Sequence, residues 1–189
     1  MNQVGIKGHF TGILRHADGT EEKFEKDNLI LDIGYEWARR RLFDTSLRYG
    51  MDSMNDKPMN CIAIGSGGTG ETAEPKATEF GVQKLLSVKV AAVTFDSNDV
   101  HKAKLVTVFG QGEGTGTITE AGVCNSNSMS GNMAGKPVPD PREKPLELRP
   151  TYLDRVTFPE NPVVKESDDT YTCVFRFELG KLARTESSS

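Results

Sequence analysis

Alternating apolar and polar residues run through much of the chain and predict a mainly β fold. Over residues 171–179 the odd positions are Tyr, Cys, Phe, Phe and Leu, whereas most even positions are polar. A period of two indicates a strand with one buried face. Residues 4–15 show a similar alternation, and Asp18 and Gly19 then supply a turn into residues 21–24. The beginning of the chain is therefore predicted to be a β-hairpin.

Further strand patterns, separated by turn residues, bring the total to roughly eight, the number typical of a sandwich or jelly roll. We therefore predict an antiparallel β-sandwich or jelly-roll-like domain. The remaining predicted strands cover residues 61–64, 85–95, 104–109, 117–124 and 152–158.

One helix is predicted to interrupt these strands near residues 32–48. Asp32 is a plausible N-cap because its side chain can accept a hydrogen bond from the first turn. Tyr35, Ala38 and Leu42 follow at helical spacing and form a face that is expected to lie on a sheet.

The same helix carries candidate interface residues. Trp37 lies off the predicted apolar face, so it is either a residue packed at the helix edge or an anchor for subunit contact. Arg39, Arg40 and Arg41 point about 100° apart in a helix and cannot form one stripe. We interpret the three arginines as a solvated or subunit-facing edge, with an anion contact as the alternative.

The composition changes at about residues 126–150, which contain five of the nine prolines. Proline removes backbone donors and favours extended conformations, so this segment is predicted to be a long loop or arm. A loop of this length is usually either mobile or functional, and both interpretations stay open. If it is an assembly arm, its candidate interface residues are Pro137, Pro139, Pro141 and Pro145.

Length and composition favour one folded domain over residues 1–189. The chain is 26% charged and 36% hydrophobic, which is ordinary for a folded protein. A net charge of -4 argues against a dedicated nucleic-acid binder, so no direct nucleic-acid partner is expected. No apolar stretch reaches the length of a membrane span, so no membrane partner is expected either. The cysteines are predicted to be core thiols: Cys61, Cys124 and Cys173.

The residues that could support chemistry do not form a known catalytic pattern. Residues 65–72 have the glycine spacing of a phosphate-binding loop, but Glu71 stands where such a loop needs lysine. Residues 110–116 resemble a dinucleotide loop, but they lead into a strand pattern and are predicted to be a flexible hairpin tip. His9, His16 and His101 lack companions at ligand spacing. We therefore expect no catalytic residue, cofactor or metal site, and a protein that is not an enzyme.

Five short motifs succeed one another along the chain. They are N-L-I-x-D-x-G at residues 28–34, IAIGSGGT at 62–69, ITEAGV at 118–123, RVTFP at 155–159 and CVFRFEL at 173–179. Their order resembles that of a loose group of tailed-bacteriophage virion structural proteins, of tail, baseplate, fibre-attachment or decoration type. The resemblance implies assembly and gives no catalytic residue. It implies architectural roles for Gly34, Gly65 and Glu120.

The resemblance implies a non-enzymatic structural subunit in the tail, baseplate or neck of a virion. Such a subunit is made in the host cytoplasm and joins copies of itself, as a homo-oligomer, and other virion proteins. One alternative is a capsid decoration or cement protein that stabilises the head. Another, of a different class, is a glycan-binding or glycan-cleaving module at the tail tip.

Overall fold

A computed structural model describes residues 4–43, 58–79, 81–125 and 151–181. Strands account for most of the described elements and α1 is their one α-helix, which confirms the predicted mainly β class. The elements are β1 Val4–Arg15, β2 Glu21–Ile30, α1 Asp32–Phe43, β3 Met59–Gly65, a 3-10 turn Gly70–Thr72, β4 Leu85–Val90, β5 Ala92–Phe95, β6 Lys102–Phe109, β7 Gly116–Ile118, β8 Glu120–Asn125, β9 Asp154–Thr157, β10 Val163–Lys165 and β11 Thr170–Lys181.

Nine strands form one antiparallel sheet that nearly closes on itself. Their order is β4-β3-β8-β9-β2-β1-β11-β6-β5, and β7 and β10 form a separate pair. The two edge strands, β4 and β5, are separated along the chain by Ala91 alone. The Ala91 amide donates to the Asn60 carbonyl at 2.8 Å, and the Thr107 hydroxyl donates to the Val90 carbonyl at 3.1 Å. These bonds bring the two ends of the sheet together, as in a sandwich or barrel-like fold.

Three strands were not anticipated by the sequence pattern. The segment predicted as one strand over residues 85–95 bends at Ala91 and pairs first with β3 and then with β6. The segment over residues 117–124 divides at Thr119 into β7 and β8. The third, β10, has three residues, too few for an alternation to be recognised. Alternation records which face a residue occupies, and it does not record a change of partner strand.

The glycine-rich segment at residues 110–116 is a connection, and the predicted hairpin tip is wrong. β6 pairs with β5 and β11, whereas β7 pairs with β10. The segment therefore leaves the large sheet and enters the small one. Positive φ angles at Gly112, Gly114 and Gly116 allow this path.

The main core is aromatic and lies inside the curved sheet. The Phe10 ring centroid lies 4.7 Å from that of Phe175, 5.5 Å from Phe24 and 5.9 Å from Phe158. These rings come from β1, β11, β2 and the end of β9, so their packing joins sequence-distant strands. Together they supply much of the apolar burial that stabilises the domain.

A second core cluster lies on the other side of β3 and β8. It contains Tyr152 and two of the three cysteines, Cys61 and Cys124, and Ile33 of α1 packs against it. All three cysteines are buried and unbonded, as the sequence predicts. Burial raises the pKa of the Cys61 thiol and raises the pKa of Cys124 and Cys173 well above the ordinary value. The thiols are therefore held in the unreactive protonated form.

Helix α1 approaches the sheet through Gly34, and the predicted packing of Tyr35 on the sheet is wrong. The Leu31 carbonyl accepts from the amides of Gly34, at 2.9 Å, and Tyr35, at 3.1 Å, so the cap lies one residue before Asp32. Tyr35 is 42% exposed, whereas Gly34 is buried against the backbone of Leu153. The sequence pattern counted only apolar side chains and therefore overlooked Gly34. Because glycine has no side chain, the helix can approach the Leu153 backbone closely at this position. Residues 44–48 of the predicted helix lie outside the described residues.

Candidate functional site

The predicted interface residues are only partly within the described structure. Trp37 is half-buried, and the guanidinium carbon of Arg41 lies 5.7 Å from its ring centroid, in range of a cation-π contact. Arg39 and Arg41 are exposed. The side chain of Arg40 and the predicted arm at 126–150 lie outside the described residues, together with Pro137, Pro139, Pro141 and Pro145. Whether these residues form an interface stays a prediction.

The residues that flank the predicted arm lie next to each other. The Asn125 amide donates to the Thr151 carbonyl at 3.1 Å, and an antiparallel bridge joins Cys124 to Tyr152. Residues 125 and 151, which flank the predicted arm, are therefore neighbours in the buried sheet region formed by β8 and β9.

A buried ion pair anchors the glycine-rich loop after β3. Glu120 and Arg155 are both 0% exposed, and the Arg155 Nε and Nη2 atoms donate to Glu120 Oε2 at 3.0 and 2.8 Å. The Glu120 carboxylate also accepts from the amides of Gly67, Gln83 and Lys84 at 2.7 to 3.0 Å. One carboxylate thus fastens both ends of the segment between β3 and β4, which is the structural role expected for Glu120.

The other donors of Arg155 extend this network to the loop itself. Arg155 donates to the Thr72 carbonyl at 3.1 Å and to the Glu79 carboxylate. A side chain at Gly65 would approach Glu120 Oε1 to 2.7 Å, so this position requires glycine. The segment contains a short 3-10 turn, Gly70–Thr72, where a phosphate-binding loop would begin a long helix. The loop is accordingly architectural.

A groove on the outer face of the sheet is the strongest candidate site. It crosses β1, β11, β6 and β5 and has a volume of about 580 Å³. Its two walls are rows of side chains that the strand register aligns, and Gly8, Phe177 and Ala103 lie between the rows. The first wall contains Lys7, Glu178, Lys102 and Asp96, and the second contains Asp27, His9, Arg176, Lys104 and Thr94.

The first wall of the groove is electrostatically balanced. Glu178 lies opposite Lys7 on β1 and opposite Lys102 on β6, so each cation has an acidic cross-strand neighbour. Lys102 Nζ also lies 2.8 Å from Asp99 Oδ2. That hydrogen bond raises the pKa of Lys102 and lowers the pKa of Asp99.

The second wall of the groove contains two cations directly opposite each other. Arg176 on β11 is the register partner of Lys104 on β6, and both side chains are exposed. Arg176 donates to the Thr11 hydroxyl at 2.9 Å, and among the described residues no carboxylate forms an ion pair with Arg176 or Lys104. Like charges at opposed positions destabilise a sheet. The second wall therefore contains a positive pair, Arg176 and Lys104, that can attract an anion.

Exposed apolar residues lie at the same end of the sheet. Phe95 is 78% exposed, Val100 is 88% exposed and Leu179 is 45% exposed. The Leu179 amide donates to the His101 carbonyl at 2.8 Å, which places the β5–β6 turn beside the end of β11. Phe95 also lines the groove. The charged groove and the apolar end (Phe95, Val100 and Leu179) thus lie at the same end of the sheet, with Phe95 and Leu179 on the strand face opposite to Arg176 and Lys104.

Two histidines make polar contacts that tie β1 to its neighbours. His9 Nδ1 lies 2.8 Å from Asp27 Oδ1 in the groove. His16 lies at the opposite end of β1, with Nε2 3.2 Å from Glu22 Oε1 and Nδ1 3.3 Å from Asp169 Oδ2. The hydrogen bond to Glu22, followed by the charge of Asp169, raises the pKa of His16. Both contacts stabilise the ends of the hairpin.

Sequence reasoning missed the groove because its signal lies in strand register. Arg176 and Lys104 each occupy a polar position of an alternating strand, which is ordinary for a solvated face. Only the pairing of β11 with β6 places the two charges opposite each other. The exposed Phe95 was equally hidden, because alternation assigns it to the buried side of its strand.

The chain matches no protein-family model, and no curated protein or solved structure is significantly similar to it. The described ranges contain no cluster of three or more His, Cys, Asp or Glu residues suited to a metal ion. No candidate membrane-spanning helix occurs in the part of the chain that the structure describes.

Proposed function

We propose that this chain is a non-enzymatic structural subunit of a tailed-phage virion, assembled through protein-protein contacts in the tail, baseplate or neck. The observation that carries the proposal is the apolar end, where Phe95, Val100 and Leu179 are exposed together. The motif order that resembles virion structural proteins supplies the class. The architectural roles of Gly65 and Glu120 agree with that resemblance.

The apolar end favours association because its burial would release bound water. Covering one large apolar side chain contributes about 1.5 to 3 kcal/mol, and three such side chains are exposed at this end of the sheet. Contiguous apolar surface with a polar border is typical of a protein-protein interface. Copies of the same chain, arranged in a closed ring, and neighbouring virion proteins are the proposed partners.

A double variant of the apolar end tests the proposal. Phe95→Ser with Val100→Ser should reduce self-association, measured by analytical ultracentrifugation, and reduce incorporation into virions. Val164→Ser is the matched control, since Val164 is 50% exposed on β10 in the small sheet. We expect the control to assemble normally. Full assembly of the double variant, or absence of the unmodified protein from purified virions, would contradict the proposal.

A capsid decoration protein would belong to the same class and would use the same kind of contact. The position of the chain on the particle distinguishes the two. Density at the head surface, between capsomers, would assign the decoration role, and density in the tail, baseplate or neck would support the role proposed here.

A further inference from the structure

We infer that the groove across β1, β11, β6 and β5 is a docking site for an extended acidic segment of a partner protein. This inference rests on the proposed function, since it names the chemistry of one assembly partner. The segment's carboxylates would lie between Arg176 and Lys104.

The opposed cations are the first argument. A sheet that served only as a solvated surface would gain stability from an acid opposite Arg176, as the neighbouring row has in Glu178 opposite Lys102. Instead the register places Lys104 there. A local cost of this kind is typical of a functional position. A bound carboxylate would remove the repulsion and would satisfy the planar donor pair of the guanidinium.

The dimensions of the groove match a short extended chain. Four strands span three interstrand spacings, or about 14 Å. An extended peptide covers roughly 3.3 Å per residue, so about four residues would cross the groove. Successive side chains of such a peptide alternate in direction, which lets carboxylates face the cationic wall.

The charge around the groove argues against a polyanion such as nucleic acid. Asp27, Asp96 and Glu178 also line it, and the whole chain carries a net charge of -4. These groups would repel a continuous phosphate backbone. A peptide with a few carboxylates can place them at Arg176 and Lys104 while its other groups avoid the acids.

Peptide titration of the full chain tests the inference. The probe is a fluorescein-labelled peptide of alternating glutamate and leucine, about eight residues long. A peptide with glutamine for glutamate is its control. We expect the acidic peptide to bind in a salt-sensitive manner and the glutamine peptide to bind at least tenfold more weakly. Equal binding of both peptides, or no binding of the acidic one, would overturn the inference.

Matched variants locate the binding. Lys104→Gln with Arg176→Gln should weaken binding of the acidic peptide at least tenfold. Lys76→Gln with Lys84→Gln removes the same charge from exposed positions outside the groove and should leave affinity unchanged. Lys104→Gln alone should not lower the melting temperature, because it relieves a repulsion. An equal loss of affinity in both double variants would show general charge attraction and would refute the site.

Two further measurements distinguish this inference from a sugar-binding groove and from the proposed function itself. An oligosaccharide of uronic acids is titrated in parallel, and tighter binding of the sugar than of the peptide would overturn the peptide assignment. The groove variant is also tested for incorporation into virions. Normal incorporation of that variant, beside loss in the apolar-end variant, would reject the groove alone. Absence of the unmodified chain from virions would instead reject the proposed function.

Discussion

Removal of the Glu120 charge is predicted to destabilise the domain severely. Glu120→Gln keeps the size and one acceptor oxygen but replaces the other oxygen with a donor group. Both oxygens are engaged in the native state, one by Arg155 and the other chiefly by the amides of Gly67 and Lys84. In either orientation of the new side-chain amide, its NH2 group faces a hydrogen-bond donor, which is either the Arg155 guanidinium or the backbone amides of Gly67 and Lys84. The charge of Arg155, which is 0% exposed, also loses one of its two carboxylate partners.

The expected cost follows from these losses. Each unsatisfied buried donor costs about 1 to 3 kcal/mol, and breaking a buried ion pair by removing one partner costs about 3 to 5 kcal/mol. We therefore expect the free energy of unfolding to fall by about 3 to 5 kcal/mol. For a chain of this size, about 2 to 4 °C of melting temperature accompany each kcal/mol, so the midpoint should fall by about 6 to 20 °C.

Denaturant titration followed by circular dichroism measures this loss. Glu113→Gln is the matched control. The Glu113 carboxylate also accepts hydrogen bonds from a backbone amide, that of Gly110, and from Lys89, but its side chain is 44% exposed. The control should cost less than about 1 kcal/mol. The double variant Glu120→Gln with Arg155→Met should lose less free energy of unfolding than the sum of the losses in the two single variants. A Glu120→Gln variant within about 1 kcal/mol of the unmodified protein would refute the reasoning.

Three further predictions concern other parts of the structure. Gly34→Ala should destabilise by about 1 to 3 kcal/mol in denaturant titration, because overlap with the Leu153 backbone outweighs a helix-propensity gain of about 1 kcal/mol. Gly180→Ala, with its nearest neighbour at 4.0 Å, is its control and should be nearly neutral. The raised pKa of His16 adds stability that is complete below its ordinary value of 6.5 and disappears as pH rises through the folded pKa. His16→Gln should therefore lower the melting temperature more at pH 5 than at pH 8.5, and an equal loss would contradict the assignment. Replacing residues 126–150 with a short Gly-Ser linker should leave cooperative melting intact, since the flanking residues are hydrogen-bonded to each other; loss of cooperativity would place the segment in the core.

The sequence predicted the features that depend on local periodicity. The alternation over residues 171–179 identified β11, and its odd positions Tyr171, Cys173, Phe175 and Phe177 are buried. The buried thiols were predicted for the same reason, because small apolar residues in strands usually face a core. Fold class and core could therefore be obtained from pattern alone.

Features that depend on pairing or close approach could not be predicted. The face of α1 is decided by Gly34 against Leu153, a contact between positions far apart in sequence. The opposition of Arg176 and Lys104 depends on how β11 aligns with β6. The partner of Glu120 was equally hidden, because Arg155 lies in a strand and has no sequence feature that distinguishes a buried arginine from an exposed one.

The central claim is that this chain is a structural subunit of a virion. A cryo-electron microscopy reconstruction of purified particles, with copy number checked by quantitative mass spectrometry, tests it most directly. We expect density for the nine-stranded sheet at a symmetric position in the tail, baseplate or neck, with Phe95 and the groove against neighbouring protein. Absence of the chain from purified particles, combined with a monomer in solution at high concentration, would contradict it.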